Sequence, residues 1–231
     1  MPIRALIFDV DGTLAETEEA HRAAFNRAFS ERDLPYSWSE ERYRGLLEQT
    51  GGRQRLLRFL LETGLAYDGA ATLAADLHAA KNRHYGLIIG AGGVHLRPGV
   101  LECLDRARAL GWRLAIATTT GRENLIALFR GLVTPIADRF ECVVTGTDVS
   151  ALKPDPEVYV KALAQLGVDA AEAVAVEDSV NGLVAARRAG LRCVVSPSLY
   201  TRHQIFEGAA LVVPQLDQWR MEEGDRSLIG G

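Results

Sequence analysis

Residues 5–13 read Ala5-Leu6-Ile7-Phe8-Asp9-Val10-Asp11-Gly12-Thr13. Four apolar residues run without polar alternation into two aspartates that flank a valine, then a glycine and a threonine. An apolar run this short suits a β-strand buried on both faces better than a helix. A buried strand that ends in two carboxylates needs a cation or hydrogen-bond donors to hold them. Open parallel sheets bind their ligands at such carboxyl ends. A calcium loop of the EF-hand kind is disfavoured, because the glycine falls fourth rather than sixth and helices do not flank the stretch.

Working outward, the same apolar pattern recurs at residues 114–117, 142–144, 173–176, 193–195 and 211–213. Helical stretches lie between most of these runs. One spans 98–110, with Pro98 in its first turn and Gly111 at its end; another runs from an Asp155 cap and Pro156 to Leu166, before Gly167. A third covers 179–189 and stops at Gly190. Strand–helix alternation predicts an α/β fold with a Rossmann-like parallel sheet flanked by helices. The rhythm breaks once. From Glu16 to Gly90 the spacing is helical, in Ala20, Ala24, Phe25, Ala28, Phe29, then Leu56, Phe59, Leu60, then Leu73, Leu77, Ala80. An insertion of this length is large enough to be a small domain. The expected division is residues 1–15 and 91–231 for the core and 16–90 for an inserted helical domain. The residues from Arg220 onward read as a frayed tail.

Composition narrows the function. Of the 231 residues, 48% are hydrophobic and 24% charged. That balance excludes wholesale disorder. Lys plus Arg number 26 against 30 Asp plus Glu, a net charge of -4. Such a chain has no global attraction for nucleic acid or anionic membrane. No apolar run reaches the roughly 18 residues of a membrane span, and the chain enters its first strand almost at once, without a signal-peptide pattern. Cys103, Cys142 and Cys193 form neither a disulfide framework nor a zinc pattern. The expectation is a cytoplasmic monomer acting on a small molecule.

The remaining strand ends supply the chemistry. The second ends in Thr118-Thr119-Thr120-Gly121, the third is followed by Lys153-Pro154-Asp155-Pro156, and the fourth ends in Glu177-Asp178-Ser179. Alone, a threonine run is strand propensity, a lysine is surface charge and an acidic pair is a helix cap. Together they place carboxylates, a hydroxyl and an ammonium along one sheet edge. In this order the motifs resemble those of the haloacid dehalogenase superfamily over almost the whole chain, and the helical insertion resembles its C1 cap. The pair Asp9 and Asp11 matches the phosphotransferase branch, so the resemblance implies phosphoryl transfer and not carbon–halogen chemistry. It implies Asp9 as nucleophile and metal ligand, and Asp11 as acid–base that also offers its backbone carbonyl to the metal. Asp178 is then the third ligand, and Glu177 either a ligand or a support for one. Thr118 would bond a phosphoryl oxygen, Lys153 would neutralise charge, and backbone N–H groups near Val10 and Thr119 would add donors. Thr17 and Arg122 complete the substrate-binding set next to these motifs. The physics agrees: two unit charges about 4 Å apart repel by roughly 4 kcal/mol at an effective dielectric near 20. A hard dication bound by few carboxylates, Mg²⁺, removes that barrier.

The inserted domain resembles those of β-phosphoglucomutases and CbbY-type sugar phosphatases. His21 matches a hinge histidine, Lys81 and Asn82 match side chains that reach toward substrate, and Gly51-Gly52-Arg53-Gln54-Arg55 matches a loop whose arginine grips a second phosphate. That arginine is Arg53 or Arg55; Arg58 lies close by. The likeness implies an Mg²⁺-dependent sugar phosphatase acting on xylulose-1,5-bisphosphate, a misfire product of the Calvin cycle, to give xylulose 5-phosphate. A phosphomutase shares every catalytic residue and stays open. A phospho-receiver module would carry its acceptor aspartate after the third strand, where this chain has Thr145-Gly146-Thr147.

Overall fold

The computed structural model describes residues 2–221. The opening run forms β1 (Ala5–Phe8), followed in chain order by β2 (Arg113–Ala117), β3 (Cys142–Val144), β4 (Ala173–Glu177), β5 (Arg192–Val195) and β6 (Leu211–Val212). The strand order is β3-β2-β1-β4-β5-β6 and every pairing is parallel. The chain moves outward from β1 to β2 and β3, then returns to β4 on the other side of β1. Such a reversal opens a crevice at the carboxyl ends, where the adjoining loops part. Asp9, Thr118 and Asp178 follow directly on the three central strands.

Both sheet faces are covered, as unbroken apolar strands require. Leu6, Phe8, Leu114, Ile116, Val174 and Val176 point to one face and pack under α5 (Val100–Ala109) and α6 (Arg122–Gly131). The opposite face presents Ala5, Ala115, Ala117, Ala173 and Ala175 to α7 (Glu157–Leu166) and α8 (Val180–Arg188). Small residues there let these two helices approach closely.

The insertion is helical throughout: α1 (Glu18–Glu31), α2 (Glu40–Leu46), α3 (Gly52–Glu62) and α4 (Tyr67–Gly90). It has an aromatic core of its own, built on Trp38. The Trp38 ring lies 4.7 Å from Phe25, 5.0 Å from Phe29 and 5.2 Å from Phe59, in tilted or edge-on contacts. The two bodies are also joined by packing. Ala24, Tyr85 and Ile89 belong to the cluster over the sheet, while Tyr200, from the loop after β5, belongs to the helical cluster.

Two sequence expectations change at the element ends. Pro98 is not in a first helical turn. The Val100 N–H bonds the Arg97 carbonyl at 3.1 Å, and Gly99 takes a φ of +81°. Pro98-Gly99 is therefore the centre of a type II turn, and α5 starts after it. The helix foreseen from Asp155 begins at Glu157, yet Asp155 Oδ1 still accepts the Glu157 N–H at 2.9 Å. The proposed tail lies, from residue 222 on, outside the described residues. No helix among the described residues is long and apolar enough to cross a membrane.

Trp38→Ala should lower the unfolding free energy by about 3–5 kcal/mol in a urea titration, because a large buried ring leaves a cavity. Tyr67 is exposed. Tyr67→Ala should stay within about 0.5 kcal/mol of the parent.

Candidate active site

Lys153 brings the strand ends together. It is only 4% exposed, and its ammonium donates to Asp9 Oδ1 at 2.6 Å, Glu177 Oε1 at 2.7 Å and the Ala117 carbonyl at 2.8 Å. The Tyr159 hydroxyl, from α7, donates to the same Glu177 oxygen at 2.5 Å. Burial works against the lysine's charge, but the Asp9 and Glu177 carboxylates outweigh it and push its pKa above the ordinary lysine range. Asp9 moves up to about 7, chiefly through burial, with Lys153 opposing and Glu177 adding to the rise.

Asp11 is held differently. Thr17 donates to its Oδ1 at 2.6 Å, His21 Nε2 lies 3.1 Å from the same oxygen, and the Thr120 hydroxyl donates to Oδ2. Burial alone would raise this carboxyl, but the His21 imidazole and the three side-chain hydrogen bonds override it. Asp11 is thereby held well below the usual carboxylate range. The His21 ring is fixed in turn by stacking on Tyr85, with centroids 4.1 Å apart.

The third carboxylate, Asp178, depends on Gly12. Gly12 has a φ of +78°, and a Cβ there would stand 2.3 Å from Asp178 Oδ2. Only glycine permits both the turn and the approach. Thr201 donates to the same oxygen at 3.2 Å. Burial drives Asp178 well above its ordinary range, and Asp9 and Glu177 add to the rise. Asp9, Glu177 and Asp178 each offer an oxygen within 4.8 Å of the others, a group that could hold a metal ion. Two buried carboxylates that resist ionising side by side, all-oxygen in donor type, fit a hard divalent cation. Glu177 is less free to join them. Its Oε1 is taken by Lys153 and Tyr159, and its carboxylate is turned against Gly182 of α8, where an added Cβ would meet Oε2 at 1.9 Å.

Two small adjoining chambers open on this edge. The first, about 90 Å³, is lined by Asp9, Asp11, Thr118, Thr119, Lys153 and Asp178 from the sheet side, and by Glu18, Thr50, Gly51 and Arg55 from the helical side. The second, about 80 Å³, shares Asp11, Glu18, Gly51, Arg55 and Thr119 and adds His21, His78, Lys81, Thr120 and Asn124. Arg55 and Lys81 are both buried, and neither has an ion pair among the described residues. Arg55 donates to the Leu46 carbonyl at 3.0 Å and to the Tyr43 hydroxyl at 3.2 Å. Lys81 has a long 3.5 Å contact to Asn82 Oδ1 and lies 5.3 Å over the Phe25 ring and 5.0 Å over the Tyr85 ring.

Not every candidate reaches these chambers. Arg53 is exposed, Arg58 is exposed and paired with Glu62, and Arg122 is spent on Asp148 at 2.7 and 2.9 Å. Thr17 is fully buried behind Asp11, and Asn82 accepts from Asn124 at 3.1 Å. Arg55 could have been separated from Arg53 by spacing, since it precedes Phe59 by four residues and so shares the apolar face of α3. Thr120 lay in the threonine run already noted. Glu18, Tyr159, His78 and Asn181 carried no local signal. Asn181 bridges the two bodies, donating to the Glu48 carbonyl at 3.1 Å and to Thr50 Oγ1 at 3.0 Å.

A family model described as haloacid dehalogenase-like hydrolase matches residues 3–190. CbbY from Rhodobacter capsulatus is 49% identical over 217 residues, 94% of this chain and 95% of that protein. A phosphoglycolate phosphatase from Thiobacillus denitrificans is 32% identical over 206 residues, 87% of this chain and 86% of its own. Among solved structures, an aspartate-to-asparagine mutant of CbbY from Rhodobacter sphaeroides, in complex with xylulose-(1,5)bisphosphate, matches with a TM-score of 0.86 at 44% identity. That match covers 94% of this chain and 96% of the other. With the parallel sheet and the carboxylate edge already in place, the chain belongs to the haloacid dehalogenase-like hydrolases, as a phosphatase of the CbbY type.

Proposed function

We propose that this enzyme is an Mg²⁺-dependent sugar-bisphosphate phosphatase that converts xylulose-1,5-bisphosphate to xylulose 5-phosphate and inorganic phosphate. The observation that carries the reading is the pair of joined chambers. One holds Lys153 among the carboxylates; the other holds Arg55 and Lys81, two buried cations with no ion pair among the described residues. A buried cation is costly unless an anion meets it. A bisphosphate brings two anions about one sugar length apart. The likeness to CbbY, whose structure holds xylulose-(1,5)bisphosphate, supports this substrate. The reading includes the division into a core, 1–15 and 91–231, and a cap, 16–90, supported by the cap's separate aromatic cluster.

In the proposed reaction Asp9 attacks the phosphorus of the transferred group and the bond to the sugar oxygen breaks. Asp11 delivers a proton to that oxygen. The hydrogen bonds of Thr17, His21 and Thr120 favour ionised Asp11, so it must take a proton from solvent as the anionic substrate arrives and return one to solvent when the products leave. Returned to the carboxylate form, it takes a proton from the water that attacks the aspartyl-phosphate, which releases phosphate and regenerates Asp9. Lys153 and Thr118 bind the phosphoryl oxygens. Asp9, Asp178 and the Asp11 carbonyl would hold the Mg²⁺, which supplies positive charge to the phosphoryl group and its carboxylate neighbours. Glu177 would act by orienting Lys153.

Phosphate release from xylulose-1,5-bisphosphate should require Mg²⁺, stop with a chelator, and be abolished in Asp9→Asn while the variant keeps the parent's circular dichroism. Turnover by that variant at the parent's rate would remove the nucleophile from the scheme, and a product that keeps both phosphates would mark a mutase.

Arg55→Ala should cost about ten- to a hundred-fold in kcat/KM on the bisphosphate and little on a simple monophosphate, since charge-assisted hydrogen bonds contribute roughly 1.5–3 kcal/mol each. Arg53→Ala, at an exposed position, should change neither. Equal losses on both substrates in Arg55→Ala would instead indicate that it holds the cap in shape.

Burial pulls Lys81 down from 10.5 to about 8, with Asp11 and Glu18 opposing. Above pH 8 the folded lysine has released its proton while the unfolded one keeps it to 10.5. Its penalty is therefore full below pH 8 and fades as pH rises. Lys81→Met should raise the unfolding free energy at pH 7, by up to roughly 3 kcal/mol, while weakening the bisphosphate reaction. Denaturant titrations at pH 7 and 10 should show that advantage shrinking.

A further inference from the structure

Arg97 stands in the return from α4 to α5 and is 8% exposed. Four of its five guanidinium N–H donors have hydrogen-bond acceptors, and the fifth nitrogen faces a carboxylate. Nη1 donates to the Gly12 carbonyl and to the Ser196 carbonyl, the latter at 2.7 Å. Nη2 donates to the Pro197 carbonyl at 2.8 Å and to Ser196 Oγ at 3.2 Å. Nε faces Glu16 Oε1 at 3.2 Å, and the Arg97 backbone N–H bonds the Leu14 carbonyl at 2.8 Å.

These acceptors belong to segments with distinct tasks. Gly12 follows Asp11 and touches Asp178. Glu16 lies in the first linker between sheet and cap, and Arg97 itself lies in the second. Ser196 and Pro197 open the loop whose Thr201 bonds Asp178 and whose Tyr200 donates to Glu19 of α1 at 2.6 Å. One cation thus ties both linkers to both segments that carry or support the metal-facing groups. A planar fork suits this cluster of acceptors; an ammonium, with three donors on one atom, cannot reach them all.

We propose that Arg97 is a positioning residue for the metal site. Its fork fixes the Asp11–Gly12 backbone and the loop after β5, so that the Asp11 carbonyl and the Asp178 carboxylate converge on the cation. This inference rests on the Mg²⁺ reading above. Outer partners of metal ligands typically govern affinity by roughly 10- to 100-fold.

The test is calorimetric Mg²⁺ binding to the whole chain, beside kinetics on xylulose-1,5-bisphosphate. Arg97→Lys should weaken Mg²⁺ about ten-fold or more. Its kcat should recover at high Mg²⁺, and KM for substrate should change little, because Arg55 and Lys81 are untouched. A cavity of about 1040 Å³, lined in part by Glu16, Arg97, Ser198 and Arg202, gives small solutes access to the position. Guanidinium at low, non-denaturing concentration should therefore restore part of the Mg²⁺ affinity of Arg97→Ala and do nothing for the parent. Mg²⁺ affinity of Arg97→Lys equal to the parent's would overturn the proposal. If neither Arg97 variant folds, Glu16→Gln, which loosens only the Nε side, should still weaken Mg²⁺ measurably; unchanged affinity there overturns it too. A parent enzyme that binds no Mg²⁺ would overturn the metal reading, and this inference with it.

Discussion

The ammonium of Lys153, out of solvent between Asp9 and Glu177, is the contact on which the catalytic edge depends. A buried ion group is tolerated only when its charges are paired and its remaining donors and acceptors are used. Here the lysine's three donors go to two carboxylates and the Ala117 carbonyl, and Tyr159 adds a second hydrogen bond to the same Glu177 oxygen. The arrangement joins the ends of β1, β2 and β4 to the loop before α7. Each strand end is therefore held by the chemistry it serves. Without the lysine, Asp9 and Glu177 would share a dry site as unpaired carboxylates.

Around that centre, environment gives similar groups different tasks. Asp9 and Asp178 face one another and burial lifts both, in a group of carboxylates that could hold a cation. Asp11, two residues from Asp9, is surrounded by Thr17, His21 and Thr120 and is kept ionised. The helical insertion supplies one of these partners, His21, so the state of the Asp11 carboxyl depends on that insertion's position. Three contacts hold it there: Asn181 to the 48–50 loop, Asn124 to Asn82, and Tyr200 to Glu19. Covering the edge in this way lowers the local dielectric and strengthens the charge–charge contacts inside.

The strand ends could be read from residue order alone. An apolar run fixes where a strand stops, and the next residue must then stand at the sheet's carboxyl edge, so Asp9, Thr118 and Asp178 converge once the sheet is parallel. Helical spacing likewise identified the helical insertion, and it carried the information that Arg55 shares a face with Phe59 while Arg53, two positions and about 200° earlier around the axis, does not. Local chemistry was less certain at element ends. Pro98 serves a helix start and a type II turn equally well, and its neighbour Gly99 decided for the turn.

What the tertiary structure alone decided is which distant groups meet. Tyr159 reaches Glu177 because α7 lies beneath the small residues of one sheet face, and Asn181 reaches Thr50 because the cap rests on the start of α8. Arg97 gathers acceptors from residues 12, 16, 196 and 197, which no period or motif relates to one another. Strands and helices repeat along the chain, so their faces can be counted from residue order. A hydrogen bond between remote segments has no period, and its partners exist only after the sheet and the cap have packed.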